Sequence, residues 1–204
     1  MIDRHALPVL NRLLAPPARA LAGAGVGADQ ITVAGFALGV LGGVAVAADW
    51  FGLGLVLILA NRLADGLDGA VARLAGPTDR GAFLDIALDF LFYALVPLGF
   101  ALADPGRNAL AAAALIASFV GTGSSFLAFA SVANRRGLRA ADYPGKGIYY
   151  LGGLTEGGET ILVFAAMCLW PTAFPVLAWS FAGLCLLTTL ARWHDGWTRL
   201  KPDE

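Results

Sequence analysis

The stretch Asn61–Asp89, NRLADGLDGAVARLAGPTDRGAFLDIALD, governs how the rest of the chain is read, because it sets four aspartates inside two runs otherwise apolar enough to cross a membrane. Asp65 and Asp68 stand three residues apart, and Asp85 and Asp89 four apart. On a helix either spacing puts both members of a pair on one face. Asn61 and Ala72 extend the first pair into a polar stripe bordered by small residues, and Gly69 widens that stripe by lacking a side chain. Between the pairs, Ala75-Gly76-Pro77-Thr78-Asp79-Arg80 carries a Gly-Pro break that predicts a turn reversing the chain. Antiparallel pairing of the two helices sets Asp65 level with Asp89 and Asp68 level with Asp85, a square of four carboxylates between two helices.

Four like charges so close cannot all stay ionised in a low-dielectric setting without compensation. One divalent cation, or a pair of them, is the simplest compensation, and an all-carboxylate set points to magnesium, manganese or calcium rather than zinc or copper. Two such ions are a common means of clamping a phosphate during in-line displacement. Arg73, on the loop side of Gly69, would add charge to a bound diphosphate. Arg62 and Arg80 each have two courses open, pairing with an aspartate or snorkelling to headgroups, and snorkelling is the expectation. A cation transporter could use the same carboxylates, but it would not require Gly69, Ala72 and Arg73 at their offsets. A catalytically silent assembly protein would not need all four acids.

The run Asp65-x2-Asp68-Gly69-x2-Ala72-Arg73 followed by Gly81-x3-Asp85-x3-Asp89 resembles the signature of the CDP-alcohol phosphatidyltransferases. Residues 74–80 make the segment between Arg73 and Gly81 one residue shorter than the usual pattern, and the shortening falls in the turn. The resemblance implies transfer of a substituted phosphate from a CDP-linked donor to an alcohol, with release of CMP and with magnesium or manganese as cofactor. It implies CDP-diacylglycerol as the usual bacterial donor, a phospholipid as product and a homodimer as the assembly. Phosphoalcohol transfer from a CDP-alcohol to diacylglycerol is the alternative within the same chemistry. Asp65, Asp68 and Asp85 are the expected metal ligands. Asp89 is the expected general base and is also counted among the ligands. By family analogy Gly69, Ala72 and Gly81 let cytidine approach the backbone, and Arg73 steadies the nucleotide. The surrounding sequence is similar to a bacterial inner-membrane branch of the family from which no particular acceptor follows.

Composition agrees with a membrane setting. The chain has 204 residues, 58% hydrophobic and 14% charged; soluble domains are nearer a quarter charged. The fold class expected is all-α and polytopic, one domain over 1–204. Residues 1–28 form a cytoplasmic amphipathic surface helix, interrupted at Pro16-Pro17, and its link. Residues 29–204 form a bundle of six transmembrane helices. The expected spans are roughly 31–48, 51–74, 81–103, 108–134, 148–170 and 172–193. Every lysine and arginine except Arg107 falls in the N-terminal segment, the even-numbered loops, the C-terminus or the helix ends bordering them, which puts both termini in the cytoplasm. Asp65 then lies about 21 Å along a core about 30 Å thick, and the carboxylates face the cytoplasm. The net charge of −1 gives no sign of a nucleic-acid partner. Membrane lipids, the CDP-linked donor and a small alcohol are the expected partners.

Outside the motif the chemistry thins. Glu156 and Glu159, three apart at the start of the fifth span, are expected on one face, lining an acceptor pocket or making a helix contact. Lys146 is grouped with them, and Lys146 and Arg192 are the cations that could meet an acceptor carrying its own phosphate. Thr122, Ser124 and Ser125 read as packing and interhelical hydrogen bonding. Cys168 and Cys185 read as buried packing residues, and Tyr149, Tyr150 and Trp170 as interfacial anchors.

Overall fold

A computed structural model describes the backbone of residues 2–136 and 155–200, and side chains from residue 10 onward within those ranges. Among the described residues seven α-helices follow one another: α1 Ile2–Gly23, α2 Ala28–Ala47, α3 Phe51–Ala75, α4 Asp79–Ala103, α5 Pro105–Arg135, α6 Gly157–Leu169 and α7 Phe174–Arg199. A single 3-10 turn, Pro171–Ala173, leads into α7, and there is no strand among the described residues. Four of these segments are long and apolar enough to cross a membrane: α2, α4, α5 and the run 171–199. The 25-residue α3 matches α4 in length but carries Arg62, Asp65, Asp68 and Arg73, and α6 has 13 residues.

Two expected boundaries are corrected. The N-terminal helix is not interrupted: α1 continues through Pro16 and Pro17. Proline costs a helix several kcal/mol, and here tertiary contact opposes that cost. Leu14 and Ala18 are buried with Ile31, Ala70 and Val71, so α1 is held along α3. The fifth span does not include Thr155 and Glu156. Thr155 is a bend, Glu156 is extended at φ −108°, ψ −178°, and the helix starts at Gly157.

Hydrophobic burial does little to join helices that lie in lipid, so association rests on close fit. The sequence supplies that fit on α2 as Gly35, Gly39 and Gly43, one stripe at four-residue spacing. A Cβ on Gly99 of α4 would lie 2.6 Å from the Gly43 carbonyl oxygen. The two backbones therefore touch, and α2 packs on both α3 and α4. Beyond them, α5 packs on α4 and α7, and α6 packs on α3. Between these helices the core is aromatic. Phe100 stacks on Phe174 with centroids 4.4 Å apart and on Phe51 at 5.7 Å, while Phe92 meets Phe164 edge-on at 6.4 Å.

Gly99→Ala would push a methyl group onto a backbone carbonyl that has no rotamer to change, and is expected to destabilise the bundle by about 1–3 kcal/mol. Thermal unfolding in detergent measures this. Gly52→Ala, where nothing lies within 4 Å, should leave the midpoint unchanged.

Candidate active site

The turn between α3 and α4 brings the two aspartate pairs together. Gly76, in the left-handed region at φ +94°, ends α3, and the Thr78 hydroxyl accepts from the Gly81 amide at 3.0 Å to cap α4. Such a cap stabilises a helix start by about 1 kcal/mol. A Cβ on Gly81 would lie 3.0 Å from the Asp29 carboxylate and 3.1 Å from the Thr78 hydroxyl. Gly81 is therefore small because the cap and α2 crowd it.

All four aspartates line one narrow pocket. From α3 come Asn61, Arg62, Asp65 and Asp68; from α4, Asp85, Leu88 and Asp89; and from α2, Thr32, Gly35 and Phe36. This corrects the square between two helices, because α2 lies against both α3 and α4 and makes the third wall. The level matching survives in part, since Asp65 and Asp89 share one guanidinium. The Arg62 Nη1 lies 2.6 Å from Asp89 Oδ1 and 3.6 Å from Asp65 Oδ1.

That contact overturns the snorkelling expected of Arg62, whereas Arg80 stays exposed and pairs with an acid outside the motif. Nη2 of Arg80 lies 2.6 Å from Asp29 Oδ2. Arg62 is held from several sides. Its Nε donates to Asn61 Oδ1 at 2.8 Å, and its Cζ lies 4.3 Å above the Phe92 ring centroid. Asn61 is buried and donates in turn to the Gly35 carbonyl at 2.8 Å. At an effective dielectric near 20, unit charges ~4 Å apart attract by about 4 kcal/mol. A long snorkelling side chain gives up that attraction, so the nearer carboxylate wins.

Asp68 is buried, and its Oδ2 has no hydrogen-bond partner. Among the described residues no three acidic, histidine or cysteine side chains stand close enough together to hold a metal ion as they lie. The free volume of the pocket is about 10 Å³, that of one water or ion. The other motif residues lie beyond it: none of Gly69, Ala72, Arg73 and Gly81 lines the pocket. Nη2 of Arg73 donates to Asn11 Oδ1 of α1 at 2.9 Å.

A second cavity, about 160 Å³, opens on the other side of α4. Tyr93, Thr122, Glu156, Thr160 and Arg192 supply its polar groups, and Phe90, Phe119 and Phe126 much of its apolar wall. Tyr93 joins the two spaces, for its hydroxyl lies 3.5 Å from Arg62 Nη1. Arg192 is buried, donates to the Thr122 carbonyl at 2.9 Å and faces the Phe126 ring at 5.7 Å. Glu156 thus reaches a cavity, but Glu159 does not share its face. The Glu159 carboxylate turns back to accept from the Glu156 amide at 3.2 Å, as a helix cap. Lys146 lies outside the described residues.

Sequence spacing missed the third wall. Thr32, Gly35 and Phe36 are not titratable and belong to a helix that reads as packing. The signal that could have found them is the Gly35, Gly39, Gly43 stripe, which marks the face another helix must approach.

With this geometry in place the comparison with known proteins is direct. The CDP-alcohol phosphatidyltransferase family profile matches residues 26–193, and the chain belongs to that enzyme family. A relative in Escherichia coli strain K12, inner membrane protein YnjF, is 52% identical over 201 residues, covering 98% of each chain. Among solved structures, the fold matches Mycobacterium tuberculosis phosphatidylinositol phosphate synthase (PgsA1) with CDP-DAG bound. That match has a TM-score of 0.74 and 25% identity over 95% of this chain and 99% of the other. The same enzyme in complex with manganese and citrate matches at a TM-score of 0.73 and 26% identity, over 94% and 93% of the chains.

Asn61→Ala would remove the bonds to Gly35 and Arg62 together and leave a buried carbonyl unpaired. It is expected to lower stability by about 1–3 kcal/mol and to lower turnover as well. Melting in detergent and a CMP-release assay on the same preparation test both halves.

Proposed function

We propose that the protein transfers a phosphatidyl group from CDP-diacylglycerol to a small alcohol with release of CMP, in phospholipid biosynthesis. The observation that carries this reading is the convergence of Asp65, Asp68, Asp85 and Asp89 on one pocket. The neighbour that binds CDP-DAG supports the donor, and its manganese complex supports a divalent ion. The donor set fits such an ion: every ligand is a hard carboxylate oxygen, and Asp68 Oδ2 is a buried acceptor with no bond of its own. Asp65, Asp68 and Asp85 would hold magnesium or manganese, two ions in our reading. When bound, the metal supplies positive charge to the diphosphate oxygens.

The chain's own groups do the rest. Gly69 and Ala72 keep the face of α3 clear for the cytidine, Gly81 adds no side chain to the crowded start of α4, and Arg73 exchanges Asn11 for the phosphate. Asp89, at the wall shared with the second cavity, takes the proton of the acceptor hydroxyl. The acceptor oxygen bonds to the phosphorus that carries the diacylglycerol. The bond from that phosphorus to the CMP oxygen breaks, and its electron pair leaves with CMP.

The second cavity is the acceptor site in this proposal. Arg192 is a buried cation there, with Thr122, Thr160 and Glu156 around it, which favours a small alcohol bearing an anionic group. Lys146 and Glu159 belong to the same proposal only as neighbours of that region in sequence. The wider reading is six spans in the bacterial inner membrane. α3 and α6 join the four long apolar helices, α1 lies on the cytoplasmic surface, both termini and the site face the cytoplasm, and two copies form the working unit.

The test is CMP release from purified protein given CDP-diacylglycerol, manganese or magnesium, and single alcohols, phosphorylated ones included. Asp89→Asn should cut turnover by roughly 10²-fold or more while nucleotide binding persists. Unchanged turnover would remove Asp89 from the base role. Arg192→Gln should raise the KM for an anionic acceptor by about tenfold, a loss of about 1.4 kcal/mol, and leave the KM for the donor in place. An equal rise for a neutral alcohol would argue against the anionic acceptor.

A further inference from the structure

Arg62 holds no position in the signature, yet among the described residues it is the cation that lines the carboxylate pocket. Three helices fix it there. Asn61 of α3 accepts from its Nε and is tied to Gly35 of α2, and Phe92 of α4 lies under its guanidinium plane. Gly39 of α2 keeps this arrangement possible, because a Cβ there would lie 2.6 Å from the Phe92 ring and 3.1 Å from the Asn61 amide nitrogen. An arginine gripped in this way serves the site and is not a stray charge.

Its effect falls on Asp89. One oxygen of that carboxylate is taken by Arg62 at 2.6 Å. The free space left beside that ion pair is about 10 Å³, the room of about one ion. A second ion drawing on Asp89 must take the place of the guanidinium, and the guanidinium then needs another anion. A diphosphate supplies one, since its oxygens match the planar fork of an arginine. The Tyr93 hydroxyl, 3.5 Å from Nη1, is a further acceptor beside the guanidinium.

Building on the metal reading above, we propose that Arg62 is a positioning residue that withholds Asp89 from the metal set until a donor diphosphate accepts its guanidinium, so that the second divalent ion and the nucleotide load together. The identity of the metal and of the acceptor alcohol do not enter this proposal. It concerns the order in which the charges are assembled.

Manganese binding, followed by loss of the free-ion electron paramagnetic resonance signal, tests it without turnover. The protein is purified in nanodiscs and titrated with manganese alone and with manganese plus CDP. Wild type is expected to bind one ion alone and a second with CDP, with an affinity gain of about tenfold or more for that second ion. Arg62→Gln should bind two ions without CDP and lose most of the gain. Arg62→Lys, which keeps the charge but not the fork, should retain less of the gain than wild type. Two ions bound by wild type without CDP would overturn the proposal while leaving the metal reading standing. So would a CDP effect in Arg62→Gln equal to that of wild type. No manganese bound by any of the three proteins would overturn the metal reading and this proposal with it. Should Arg62→Gln fail to fold, the wild-type and Arg62→Lys titrations still decide.

Discussion

Negative charge inside an apolar bundle persists only where opposite charge reaches it, and the ion pair between Arg62 and Asp89 is where this protein meets that condition. The pair joins α3 to α4 across the pocket, and Asn61 and Phe92 hold it in place. The pair is only partly buried, its side chains 16% and 31% exposed, and breaking it from one side leaves the partner uncompensated. The aspartate cluster is thus a structural as well as a chemical feature, and its geometry depends on which cation is opposite each acid.

The same condition explains the role of α2. It carries no acid or base in the pocket, yet it forms one wall and accepts the Asn61 amide on the Gly35 carbonyl. A helix with side chains along that stripe would stand further off, and neither Asn61 nor Phe92 would have its present seat. Close packing of small residues is the ordinary means of joining helices in lipid. Here it also lets α2 come close enough to wall in the four aspartates. The two cavities share α4 as a wall, with Asp89 on one side and Phe90 and Tyr93 toward the other, so neighbouring residues of one helix face two separate spaces.

Much of the site was legible in the sequence because helical spacing is a local property. Aspartates three and four apart had to share faces, the Gly-Pro break had to turn the chain, and apolar runs had to become helices. Glu156 and Glu159 show where that logic stops. Three apart, they would share a face inside a helix, but the helix begins after Glu156, and the pair becomes a cap. Boundaries depend on which end groups find partners, and spacing carries no record of that. Pro16 and Pro17 are the converse case, a local break signal outweighed by the packing of Leu14 and Ala18.

The amino-acid sequence by itself determined the family, the helical class and the four aspartates that gather at one place, since each follows from residue order within single helices. Tertiary structure alone decided that α2 completes the pocket, that Arg62 turns inward to Asp89, and that Arg192 and Glu156 meet in a second cavity beyond α4. Periodicity states which side chains share a face of a helix. Which other helix that face meets is settled by close packing and by the distance at which opposite charges come to rest.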